Sequence, residues 1–272
     1  MLISNITRFF NTLLRVYSVC KLKDSLKFTI FAINNAKKIL KQKNLGEIYK
    51  KMGQGPFKIK SDKKIVTVIG HKDDLNGTFS GLMEIFINKV YNSKHLDFTK
   101  FKTVLDLGAG SGNFTNFALT KNHDLKIILV EPRGVVHPVI EEMIIKNNYK
   151  RENIKIFDFY LGDMESIEKN FQKYSSNKII ENGESFIKKF NLKKVDLIKC
   201  DIEGSEHSFF KDGFLLKITD NIAIEIHNLE YLENFIELLK KFGFEVKKML
   251  IQKKEATVIA KKMVNIGCGG RI

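Results

Sequence analysis

The densest group of reactive side chains is Asp201-Ile202-Glu203-Gly204-Ser205-Glu206-His207, with Glu225-Ile226-His227-Asn228 following further along. Three carboxylates within six residues repel one another unless a cation, a hydrogen-bond donor or a substrate proton relieves them. Glu225 and His227 are two apart, so on a strand they share one side. An unperturbed imidazole titrates near neutrality, which makes His227 the leading candidate for a general base. Glu203 or Glu225 would hold its second nitrogen, and Asp201 would orient a bound ligand. A hydrogen-bonded structural histidine is the plainer reading of His227, and a helix-start residue that of His207. The ligand types also permit a divalent metal across Asp201, Glu225 and His227, although no metal is expected.

A second constellation is Val104-Leu105-Asp106-Leu107-Gly108-Ala109-Gly110-Ser111-Gly112-Asn113-Phe114. An apolar strand runs into alternating glycines and then a helix. Glycines let the backbone turn tightly and approach a ligand without an intervening Cβ, and the helix start beyond offers unpaired N–H groups. The dinucleotide fingerprint is G-x-G-x-x-G; here the spacing is G-x-G-x-G and Asn113 takes the last place. Asp106, two residues before the first glycine, suits a cationic group and would repel a pyrophosphate. Glu131 and Pro132 follow the next strand, where a carboxylate can accept both hydrogen bonds of a ribose diol. Asp163 is placed to accept from an adenine amino group or to cap a helix.

These residues must be held by a framework, and the chain from Thr103 onward alternates strand and helix. Strands are expected at 103–107, 126–130, 154–157, 195–200, 221–226, 244–251 and 256–260, with helices at 112–120, 136–148 and 231–242. Such alternation specifies a doubly wound α/β parallel sheet. The short polar link Gln252-Lys253-Lys254-Glu255 makes the last two strands an antiparallel hairpin. Asp201 and His227 then end neighbouring strands at the carboxyl edge, where ligands bind in open α/β sheets. Upstream, 57–59 and 65–69 are expected to pair around Ser61-Asp62, and 79–92 to be helical.

The 272 residues are 43% hydrophobic and 28% charged, enough apolar matter for a packed core, and the net charge is +15. Residues 1–65 carry fifteen Lys/Arg against Asp24, Glu47 and Asp62, so most of the excess lies there. Helical spacing marks 2–20 and 24–43 as basic amphipathic helices. They either dock on their own domain or lie on an anionic membrane surface. Gly53-Gln54-Gly55-Pro56 breaks the pattern. The division expected is a basic helical segment 1–56, a strand pair and helix over 57–100, a core domain over 101–262 and a flexible tail 263–272. Cys20, Cys200 and Cys268 make no metal knuckle and no disulfide framework. No apolar run approaches the ~20 residues of a transmembrane helix. A cytoplasmic location, with peripheral attachment at the inner membrane face, is the expectation.

Taken together, the chain resembles a class I S-adenosylmethionine (SAM) methyltransferase of the FkbM type over roughly residues 57–261. The resemblance is carried by Phe57–Lys60, the glycine turn, Val130-Glu131-Pro132, Ile198–Glu206 and Ile224–His227. It implies a Rossmann-like seven-stranded mixed sheet ending in an antiparallel hairpin, SAM as methyl donor, and a hydroxyl acceptor on a sugar, glycan or related metabolite. It places Asp106, Gly108, Gly110, Ser111, Asn113, Glu131, Pro132, Asp163 and Asp201 around the cofactor, and Asp201, Glu203 and His227 in catalysis. Family members often show Gly-Ala-Asn-x-Gly-Asp where this chain has Gly108 to Asn113. Two alternatives stand beside this reading. One is an RNA methyltransferase tracking phosphates with the N-terminal lysines, although the chain has only five arginines and no RNA-binding signature. The other is a non-catalytic SAM-fold binding protein.

Overall fold

The computed structural model describes residues 2–36, 53–61, 64–170, 179–252 and 254–263. Residues 37–43 of the second expected helix, Asp62, Lys253, Cys268 and the tail beyond Met263 lie outside these. A seven-stranded mixed sheet is present, in the order β10-β11-β9-β8-β3-β4-β5, where β3 is Thr103–Leu107, β4 Lys126–Val130, β5 Ile154–Phe157, β8 Val195–Cys200, β9 Thr219–Ile226, β10 Phe244–Ile251 and β11 Ala256–Lys262. The chain divides into two compact units, residues 1–94, 98–100 and 109–158 in the first and 95–97, 101–108 and 159–272 in the second.

In the first unit, α1 (Leu2–Val19) and α2 (Leu22–Asn34) pack beside the antiparallel pair β1 (Phe57–Ser61) and β2 (Lys64–Val68). Asp24 accepts from the Lys58 amide at 2.9 Å, and Cys20 bridges to Ile59. Val16, Val19, Phe28 and Ala32 are buried, while Leu14, Leu22, Leu26, Ile30 and Ile33 remain exposed. The helices therefore dock through one face only. The helix expected over 79–92 begins earlier, as α3 (Leu75–Leu82), and widens into a π-helical turn over Met83–Ile87. Gly77 and Gly81 depress its helical signal at the sequence level. The glycine turn leads into α4 (Asn113–Lys121), and β4 and β5 pair in parallel on either side of α5 (His137–Lys146) in the chain.

In the second unit, β3 and β8 pair in parallel, as do β8 and β9. β9 pairs antiparallel with β11, and β11 with β10, giving the expected hairpin end. Val195, Leu197, Ile198 and Cys200 of β8 and Ile222, Ala223 and Ile224 of β9 are fully buried. That continuous burial explains why these strands read as apolar runs rather than alternating patterns. Between β5 and β8 lie elements whose pattern was too short to be legible. They are β6 (Tyr160–Leu161), α6 (Met164–Asn170), β7 (Ile180–Glu181) and α7 (Gly183–Phe190). Asn182 caps α7 by accepting from the Ser185 amide at 2.9 Å. Two short helices, α8 (Glu206–Phe210) and α9 (Phe214–Ile218), join β8 to β9, and α10 (Leu232–Lys241) joins β9 to β10.

Candidate active site

In the second unit the loop after β8 and the end of β9 meet around His227. Its Nε2 lies 3.6 Å from Asp201, 3.5 Å from Glu203 and 4.0 Å from Glu225. Asp201, Glu203 and His227 are thus brought together as the sequence implied, because β8 and β9 are parallel neighbours ending at the same edge. The partner of Nδ1 is a different residue from either one expected. It is Glu206, at 3.0 Å, and not Glu203 or Glu225. Glu203 takes a left-handed backbone (φ 55°) and Gly204 follows at φ 102°. The chain doubles back there and carries the first residue of α8 beneath the loop. Glu206 is 3% exposed, and its Oε1 also accepts from the Ile202 and Gly204 amides at 3.1 Å each. The only advance signal was a carboxylate at a helix start.

Burial alone would push the His227 imidazole down, but the Glu206 hydrogen bond and the charges of Glu206, Asp201 and Glu203 overcome it. The pKa rises to about 10. Such a shift favours the doubly protonated ring at neutral pH, in which form it balances the carboxylates around it. Asp201, Glu203 and His227 could gather a metal ion, as could Glu225, His227 and Glu255.

Asp106 is fully buried, and the cation it faces is Lys199 of the same unit. Lys199 is 3% exposed. Its Nζ lies 3.4 Å from Asp106 and 3.7 Å from Asp201, and donates to the Gly108 carbonyl at 2.7 Å. Asp106 therefore acts on the glycine turn through this lysine. Gly108 (φ 71°) abuts the Asp201 carbonyl, where an added Cβ would sit 1.7 Å away. Its lack of a side chain serves loop packing. Asp163 caps α6, accepting from the Ser166 amide at 3.0 Å, and lies 3.8 Å from Lys211. Burial works against its ionisation, but the Ser166 hydrogen bonds together with Lys211 and His207 hold its pKa low.

In the first unit the remainder of the glycine turn meets Glu131. Gly110 donates to Glu131 Oε2 at 2.7 Å. Ser111 and Asn113 are 5% exposed and are tied to α3. Ser111 Oγ is 2.7 Å from Thr78 Oγ1, and Asn113 Nδ2 donates to the Thr78 carbonyl at 3.0 Å. Their side chains thus fasten α3 to the turn. Pro132 is half-buried beside Glu131. An added Cβ on Gly110 (φ 55°) would meet only Arg133 Nη2, at 3.7 Å. The open flank of Gly110 and a shielded carboxylate one hydrogen bond away fit the ribose of an adenosyl cofactor.

Residues 146–246 match the Methyltransferase FkbM domain. This span takes in the Asp201–Glu206 loop and His227 but leaves the glycine turn and Glu131 outside. No curated protein matches the sequence significantly. Among solved structures, an O-methyltransferase family protein from Burkholderia thailandensis is 12% identical, with TM-score 0.48 over 71% of this chain and 60% of that one. Aeropyrum pernix fibrillarin, crystallised with natively bound SAM, is 16% identical, with TM-score 0.39 over 61% and 68%. Precorrin-6y C5,15-methyltransferase from Geobacter metallireducens is 12% identical, with TM-score 0.41 over 61% and 84%. Likenesses this distant say nothing of the acceptor. Over residues 146–246 the chain is similar to methyltransferases of the FkbM type, a family whose methyl donor is SAM.

Proposed function

We propose that the enzyme methylates a hydroxyl oxygen on a sugar, glycan or related metabolite. The observation that carries this reading is His227 ringed by Asp201, Glu203 and Glu225, with Asp201 26% and Glu203 70% exposed. Several carboxylates around one imidazolium suit a polyol, whose neighbouring hydroxyls donate to the acids while one oxygen accepts from Nε2–H.

SAM, when bound, supplies an electrophilic methyl group on a sulfonium. The chain's task is to hold the acceptor oxygen in line and to take its proton. A positioned base contributes about 10²–10⁴-fold. Because the carboxylates around His227 favour its protonated form, we assign Asp201 as that base. The hydroxyl becomes far more acidic as its oxygen forms the new bond, so a carboxylate can take the proton late. His227 then orients the oxygen and offsets the local negative charge, with Glu206 locking the ring.

The test is methyl transfer by the full chain to a panel of saccharides, glycolipids and RNA, followed by mass spectrometry of product. Asp201→Asn is expected to lower turnover at least about 100-fold while S-adenosylhomocysteine binding persists. Normal turnover by that variant removes Asp201 as base. Transfer to RNA alone favours the RNA methyltransferase reading. Cofactor binding without transfer to any acceptor favours a binding protein.

We also propose that α1 and α2 hold this enzyme at an anionic membrane, in the cytoplasm at the inner face. Among the described residues no helix is long and apolar enough to cross a membrane. Leu22, Leu26, Ile30 and Ile33 instead form an exposed stripe on α2, flanked by exposed Lys23 and Lys27. Apolar side chains beside lysines suit the headgroup boundary. Flotation with phosphatidylglycerol vesicles, lost in Leu26→Glu/Ile30→Glu, is the expected result. Failure of the unaltered protein to float overturns this part.

A further inference from the structure

The carboxylate proposed to receive the cofactor's ribose is already full. A carboxylate offers about four lone-pair positions. Glu131 Oε1 accepts from the Arg133 amide at 3.0 Å and from Arg133 Nε at 2.8 Å. Oε2 accepts from the Gly110 amide at 2.7 Å and, more weakly, from Arg133 Nη2 at 3.4 Å. The same guanidinium reaches outward to Asp74, donating from Nη1 to Oδ1 at 3.0 Å. Asp74 Oδ2 in turn accepts from Ser111 Oγ at 3.4 Å. Arg133 therefore bridges two carboxylates and stands on the open flank of Gly110.

Two of the four positions on Glu131 belong to main-chain amides and stay filled whatever the side chains do. The other two are held by the Arg133 side chain, and a ribose diol needs two. We propose that Arg133 is an internal competitor of the ribose: its guanidinium latches Glu131 to Asp74 and must swing away for the diol to dock. This rests on the reading that Glu131 receives the ribose. The Arg133 side chain is 46% exposed, so it can turn into solvent without repacking any core. Its release also frees Asp74, whose carboxyl is pushed up by burial and drawn back by Arg133.

The latch makes cofactor affinity a difference between two sets of hydrogen bonds on one carboxylate. Removing the guanidinium should therefore tighten cofactor binding. Arg133→Met keeps an aliphatic stem over the turn and removes the side-chain donors, while the two main-chain amides keep Glu131 hydrogen-bonded and the fold intact.

The experiment is calorimetric titration of the full chain with S-adenosylhomocysteine and with its 2′-deoxyribose analogue. Arg133→Met is expected to tighten S-adenosylhomocysteine roughly tenfold, about the worth of one charge-assisted hydrogen bond, and to tighten the 2′-deoxy analogue less. Asp74→Asn, which loosens only the outer anchor, is expected to tighten it by a smaller factor and serves if the first variant does not fold. Glu131→Gln is the control for the underlying reading and is expected to weaken binding. If Glu131→Gln leaves affinity unchanged, the ribose reading falls and the latch with it. If Glu131→Gln weakens binding while Arg133→Met or Asp74→Asn leaves it unchanged or weakens it, the latch alone is overturned.

Discussion

His227 donates from Nδ1 to Oε1 of Glu206 across 3.0 Å, joining the end of one buried strand to the first residue of the helix after its neighbour. Glu206 is among the most buried acids described, and His227 lends it the charge that makes burial tolerable. This pair sets the protonation of the whole constellation.

Stability should fall at alkaline pH because of it. The folded-state pKa of His227 is raised to about 10, above the ordinary value of 6.5. The folded state then binds more protons than the unfolded one between those values. The contribution is complete below about 6.5 and is lost as pH climbs through about 10. Urea unfolding across pH 6 to 10.5 is expected to show this decline, and His227→Gln to flatten it. An unchanged slope in the variant would mean that another group is responsible.

Removing the charge on Glu206 should release the proton. In Glu206→Gln the side-chain oxygen can still accept from the Ile202 and Gly204 amides, so the loop is preserved. The His227 midpoint, followed by NMR of the ring protons, should drop well below about 10. If it stays there, Asp201 and Glu203 are the groups that hold the proton.

Two glycines of the turn should respond differently to alanine. At Gly108 the new Cβ would collide with the Asp201 carbonyl, on a backbone at φ 71°. Loss of more than about 3 kcal/mol, or failure to fold, is expected. At Gly110 the left-handed strain of about 1–2 kcal/mol is the main cost, since the nearest neighbour is the flexible end of Arg133. Equal unfolding midpoints for the two variants would contradict the close approach at Gly108.

Lys199→Met should be strongly destabilising although it introduces an apolar residue into an apolar strand. It removes a buried cation 3.4 Å from Asp106 and a donor to the Gly108 carbonyl. Breaking a buried pair from one side costs about 3–5 kcal/mol. Asp106→Asn in the same chain should recover part of that loss, as a double-mutant cycle of unfolding energies would show. Independent, additive effects would mean that the two side chains do not couple.

Much of the framework was legible because it depends on local pattern. Buried parallel strands are short apolar runs, so β3, β4, β5 and β8 were delimited correctly, and the polar link at 252–255 required an antiparallel end. The neighbouring positions of Asp201 and His227 followed from strand ends alone. The start of α3 was hidden by Gly77 and Gly81, and α7 was too brief for its period to stand out. The choice of Glu206 over Glu203 and Glu225 depends on the left-handed backbone at Glu203, which no spacing rule reveals. Likewise, Asp106 was read as facing a cation, but only the register of β3 against β8 names that cation as Lys199. Arg133 carries no motif at all, and its hold on Glu131 and Asp74 appears only once α3 is folded against the turn. The order of residues thus determined which strands form and which chemical groups end them. The folded backbone decided which charges share a partner, because hydrogen bonds between loops depend on turns of a few residues whose direction is set by packing far away in the chain.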